Sequence, residues 1–134
     1  MATGDISSRT STFAGAPQSV TGARLAADAF LAALARTRPP AEADHWDDIL
    51  LVVSELAANA VQYAPGDFTL RMRRTFDGVH VTLHDSSTAL PAPRPFRPGT
   101  GEGGVGWHLI HALCDQVSVV PEADGKDVHA FLPW

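Results

Sequence analysis

Apolar residues fall into two spacings along this chain, and the switch between them marks its elements. Over residues 19–36, Val20, Ala23, Ala27, Phe30, Leu31 and Leu34 recur at steps of three and four, which predicts a helix with one apolar side. Pro39 and Pro40 stop it, because proline lacks the N–H a continuing helix needs. A second helix is predicted over residues 43–63. Ile49, Val53, Leu56, Ala57, Ala60 and Val61 share its broad apolar side, and Asp44, Asp47 and Asp48 sit in its first turns, where the helix dipole favours negative charge. Pro65 and Gly66 close it.

The period then drops to two. Phe68, Leu70, Met72 and Arg74 alternate with Thr69, Arg71 and Arg73, and Val79, Val81 and Leu83 alternate with His80, Thr82 and His84. Asp77-Gly78 between the two runs predicts a hairpin. Residues 86–104 are rich in Ser, Pro and Gly and read as a long loop of the kind that carries function. A third helix is expected over residues 105–116, followed by two strands, 117–122 and 127–134, joined around "ADGK". A short edge strand is expected around Phe13, with residues 1–9 loose before it. Helix, helix, hairpin, loop, helix, hairpin is the order of an α+β domain. The expectation is a two-layer α/β sandwich, a mixed and mostly antiparallel sheet with helices on one face, as one domain over residues 10–134.

Composition narrows the function. The chain has 134 residues and is 45% hydrophobic, enough for a real core. Its formal charge is −5, and its ten basic residues form no run, which argues against direct nucleic-acid binding. The single cysteine, Cys114, excludes an internal disulfide and falls within an apolar pattern, so it reads as an inert buried thiol. No stretch has the length and apolarity of a membrane span, and the first residues lack the apolar core of a signal peptide. A cytoplasmic protein is expected.

Chemistry is concentrated in three places. On the second helix Asp48, Glu55, Asn59 and Gln62 form a narrow polar stripe. Glu55 and Asn59 are one turn apart, so a carboxylate and an amide oxygen can reach one ligand; the alternative is a solvated stripe on an amphipathic helix. Asp85 ends the strand "VHVTLHD" in phase with its apolar set. A core-facing carboxylate there requires a hydrogen-bond donor, such as an amino group on a bound base; the alternative is a strand end turned away into an Asx turn. Finally, Gly99, Gly101, Gly103, Gly104 and Gly106 run into the third helix, where bare amides and the helix N-terminus suit phosphate; the alternative is a turn and nothing more. The six histidines are scattered, and no carboxylate or cysteine joins His108 and His111 at metal-ligand spacing.

In this order the three places resemble the GHKL ATP-binding superfamily, and more narrowly the actinobacterial anti-sigma-factor serine/threonine kinases and their stand-alone ATP-binding relatives. "VVSELAANAVQYA" is similar to the family's N-box, "LHDSSTALP" to the segment with its adenine-binding aspartate, and "GEGGVGWHLIHALCDQVSV" to its glycine-rich box. "SVTGARLAADAFLAAL" is similar to its first helix and "KDVHAFLP" to its last strand. The resemblance implies ATP and Mg²⁺ as cofactors. It casts Glu55 as general base, Asn59 as the Mg²⁺ ligand, Asp85 as the partner of the adenine amino group, and Gly101, Gly103, Gly104 and Gly106 as lid and phosphate contacts, with residues 91–99 part of the lid.

The activity so implied is phosphorylation of an anti-anti-sigma partner, with regulation of a sigma factor and a possible homodimer through the sheet edge and first helix. Tyr63 stands where the family frequently has a histidine. Three further features depart from the pattern: the glycine-free "DSSTALP", Val105 where a basic residue is frequent, and the bulky Trp107 that with His108 replaces a smaller apolar pair. They favour a second expectation, a nucleotide-binding regulatory module that acts by protein–protein binding with little catalysis.

Overall fold

The computed structural model describes residues 7–64, 66–87 and 105–134. The order of elements is β1 (Ser8–Phe13), α1 (Gln18–Ala35), α2 (Asp44–Tyr63), β2 (Phe68–Arg74), β3 (Gly78–Asp85), α3 (Val105–Leu113), β4 (Gln116–Glu122) and β5 (Gly125–Pro133). The strands form one sheet in the order β1-β2-β3-β5-β4, and every pairing is antiparallel. The two-layer α+β architecture is the one the spacing predicts.

Boundaries moved where the backbone found better partners. α3 ends at Leu113, not at residue 116, because the Asp115 N–H donates to the Phe131 carbonyl and Gln116 already pairs in the sheet. β5 begins at Gly125, two residues before the expected start, and so takes in Lys126. β1 begins at Ser8, so residues 8 and 9 pair with Arg73 and Met72 instead of trailing free.

The core lies between the helices and one face of the sheet. α1 buries Ala23, Ala27, Phe30, Leu31 and Leu34, and α2 buries Ile49, Val53, Leu56, Ala57 and Ala60 as expected. Leu50 and Val52 are buried as well, because α2 is flanked by both α1 and α3 and has more than one side to cover. The sheet contributes Phe68, Leu70, Met72, Val79, Val81, Leu83, Val128, Ala130 and Leu132, all one phase of the strand alternation. Trp107 and Ile110 seal the α3 side. Cys114 packs against this core, and burial beside Asp115 pushes its thiol up to about 12, which keeps it protonated and unreactive.

The opposite phase forms a second, polar face. Register places Ser8, Arg73, His80, Phe131 and Gln116 in one row across the five strands, and Thr10, Arg71, Thr82, His129 and Ser118 in the next. Here His80 is buried without help from a helix. Its ring stacks on Phe131 at 4.2 Å and on His129 at 5.1 Å. Arg73 Nη2 donates to His80 Nδ1 at 2.7 Å, and His80 Nε2 lies 2.9 Å from His129 Nδ1. Desolvation first, then the charges of Arg73, His129 and Arg71, lower the His80 pKa to about 4.

This burial has a pH signature. Between pH 6.5 and about 4 the unfolded chain binds a proton at this ring that the folded chain refuses, so stability falls as pH is lowered through that window. The loss traceable to His80 is at most about 3 kcal/mol. Urea denaturation at pH 7, 5.5 and 4 is expected to give a steeper decline for the natural chain than for His80→Gln; equal slopes would remove the residue from the account.

Candidate functional site

Asp85 stands at the end of β3 in phase with Val79, Val81 and Leu83 and is 4% exposed. Its register partner on β5 is Lys126, itself 6% exposed. Cross-strand partners point to the same face, so a core-facing acid meets a core-facing lysine. Lys126 Nζ donates to both carboxylate oxygens, at 2.8 Å to Oδ1 and 2.9 Å to Oδ2. The Ser87 N–H donates to Oδ1 at 2.9 Å, closing an Asx-type turn. The two sequence alternatives for Asp85 are therefore realised together: the side chain faces the core, and it also caps the turn that leaves the strand.

Gly125 makes this approach possible. Its φ is +153°, and a Cβ there would collide with the Asp85 carbonyl oxygen. Only glycine lets β5 start so close to the end of β3 and deliver the next residue, Lys126, onto the carboxylate. Periodicity alone begins the last strand one residue after Lys126, and the family resemblance, which begins it at Lys126, gives that residue no role. The signal was nonetheless present: Lys126 is in phase with Val128, Ala130 and Leu132, and a lysine at a core-facing position requires a buried acid opposite.

Glu55 and Asn59 lie half-buried on α2, one turn apart. Among the described residues no hydrogen bond or ion pair holds either side chain. The Glu55 carboxylate rests against the first turn of α3, where a Cβ on Gly106 would collide with its Oε2. The structure thus brings Glu55 and Gly106 together. The other end of α2 leads toward Asp85: Gly66, just past the helix, has a φ of +94°, and a Cβ there would lie 3.7 Å from Ser86 Oγ. Gly101, Gly103, Gly104 and residues 91–99 lie outside the described residues.

The arrangement supplies a half-buried carboxylate and amide on one helix, the start of a second helix without a side chain in the way, and a buried acid on the sheet. These are oxygen donors for a hard cation, backbone for an anion and an acceptor for an N–H group. Among the described residues no three His, Cys, Asp or Glu side chains converge as a metal cluster. No described helix is long and apolar enough to cross a membrane. An open hollow of about 670 Å³ lies at the other end of β3, lined by Ser7, Arg38, Arg74, Thr75, Phe76 and Asp77, and is separate from this site.

The ion pair gives a direct test. Removing one partner of a buried pair typically costs about 3–5 kcal/mol, whereas replacing both by apolar residues is often close to neutral. Lys126→Met is expected to lower stability by that amount in urea denaturation, and Asp85→Leu/Lys126→Met to recover most of it.

Comparison with known proteins gives the family. Residues 13–131 match the family described as histidine kinase-like ATPase domain. Among solved structures the chain is similar to the histidine kinase domain of the blue-light-activated histidine kinase from Erythrobacter litoralis EL346, at 18% identity and a TM-score of 0.49. The likeness covers 82% of this chain but 60% of that one. No functionally curated protein matches the chain. The sequence match extends from the first strand to the last and takes in every element that positions Glu55, Asn59, Asp85 and Gly106, and on that ground the protein belongs to the histidine kinase-like ATPase domain family.

Proposed function

We propose that this protein is an anti-sigma-factor-type serine/threonine kinase that uses Mg-ATP to phosphorylate a serine on an anti-anti-sigma partner and thereby regulates a sigma factor. The observation that carries the reading is the contact of Glu55 with Gly106 in the first turn of α3, on the helix face that also holds Asn59. Phosphoryl transfer asks a protein mainly to position groups and offset charge, and these residues are suited to both tasks. ATP, when bound, supplies the γ-phosphoryl group. Glu55 accepts the proton of the attacking hydroxyl, or of water. The Asn59 side-chain oxygen would hold Mg²⁺, for which a hard neutral oxygen is a fitting ligand. The first turn of α3, beginning at Val105 and Gly106, would offer its N–H groups to phosphate, with Gly101, Gly103 and Gly104 preceding it in the chain. Asp85 accepts a hydrogen bond from the adenine amino group.

A second reading has its own support. Asp85 is already engaged by Lys126 on both oxygens, which favours a regulator that binds nucleotide modestly and acts by holding its partners, with little turnover. On either reading a homodimer through β1 and α1 is compatible with the place of β1 at the edge of the sheet formed by the described residues.

Calorimetry with ATP and a transfer assay with labelled ATP and a cognate anti-anti-sigma protein separate the two. For the kinase, Asn59→Ala is expected to weaken ATP binding in Mg²⁺ by tenfold or more. Glu55→Gln should leave binding within about threefold while lowering phosphate transfer by roughly a hundredfold or more. Partner binding without label transfer, and indifferent to ATP, would select the regulator.

A further inference from the structure

Resting on the nucleotide-binding reading above, the hydrogen bonds at Asp85 carry an inference about which base the site accepts. An ionised carboxylate has about four lone-pair sites, two on each oxygen. Asp85 Oδ1 receives Lys126 Nζ and the Ser87 N–H, and Oδ2 receives Lys126 Nζ. Among the described residues these bonds fill Oδ1 and leave Oδ2 one site. Lys126 itself has only donors to offer. We propose that Lys126 is a specificity-determining residue: by engaging both oxygens of Asp85 it leaves one acceptor site, on Oδ2, and so admits purines that present a single N–H to it while rejecting guanine.

The chemistry of the base edges gives the direction. Adenine presents its amino N–H beside the ring acceptor N1. Hypoxanthine presents N1–H beside the acceptor O6. Each asks for one acceptor, and each offers an acceptor that the Lys126 ammonium is able to meet. Guanine presents N1–H and an amino N–H side by side, the pair that a free carboxylate takes with its two oxygens in a fork. With Oδ1 filled, one of those donors is desolvated and left without a partner. A buried polar group left unpaired in this way weakens binding roughly ten- to a hundredfold. The discrimination therefore resides in a residue that reads the base mainly by occupying its acceptor. Gly125, which permits the approach of β5, and the 2.9 Å turn contact from Ser87 keep that acceptor in place.

Dissociation constants for ATP, ITP and GTP, measured by calorimetry on the natural chain, test the proposal without reference to catalysis. ATP and ITP are each expected to bind ten- to a hundredfold more tightly than GTP. Because ITP and GTP differ only by the 2-amino group, GTP binding as tightly as ITP overturns the inference while leaving the nucleotide-binding reading intact. Binding of none of the three overturns both. Lys126→Met reopens one site on each oxygen and is expected to close the gap between ITP and GTP to within about threefold, whereas Lys126→Arg, which keeps a donor on each oxygen, preserves it. An unchanged gap in a folded Lys126→Met assigns the discrimination to steric exclusion of the amino group and rejects the role of Lys126. Should Lys126→Met fail to fold, Lys126→Gln, whose neutral amide reaches only one carboxylate oxygen, takes its place: a narrowed ITP–GTP gap supports the role of Lys126 and an unchanged gap rejects it.

Discussion

A lysine and an aspartate, both almost wholly out of water, hold the ends of two central strands together. Burying either charge alone is prohibitive, so each dictates the position of the other. The pair fixes the register of β3 against β5 at its most sensitive place, where β3 leaves the sheet and β5 enters it. It also sets what the floor of the candidate site presents: one carboxylate, already engaged, with limited capacity for another donor. Gly125 and the Ser87 turn contact are the local conditions that let the pair form.

The site and the core are built from the same periodicity. α2 lies between α1 and α3, so its apolar positions are spread around much of its circumference, and on its narrow polar stripe Asp48, Glu55 and Asn59 are half-buried while Gln62, in the last turn, is exposed. That narrowness puts Glu55 against α3. A wider polar face would have left the carboxylate in solvent, and a side chain at position 106 would have pushed it away.

Much of this was readable in the chain because the relevant interactions are local. The 3.6-residue spacing in α1 and α2 and the alternation in β2 and β3 reproduce the buried sets almost residue for residue, since each element buries one stripe or one face. The failures were non-local. Helix α3 stops early because a strand far along the chain captures the Asp115 N–H. Lys126 was hidden because its reason for being in the sheet is an acid about forty residues earlier. His80, placed correctly on the polar side of its strand, is nevertheless buried, because Phe131 and His129 from a strand near the chain's end cover it. The Glu55–Gly106 contact likewise depends on how two helices meet, which the spacing along either one does not specify.

The arginine on β2 also gives the polar face of the sheet a direction. Arg73 has only protons to give, so the His80 nitrogen that faces it holds a lone pair and the ring's one hydrogen sits on the far nitrogen, toward His129 and Thr82. His129 must then receive on Nδ1 and, when neutral, carry its own hydrogen on Nε2. A single guanidinium thereby sets the tautomer of two rings on two other strands, and the polarity it imposes runs across β2, β3 and β5 as an ordered chain from one edge of the cluster to the other.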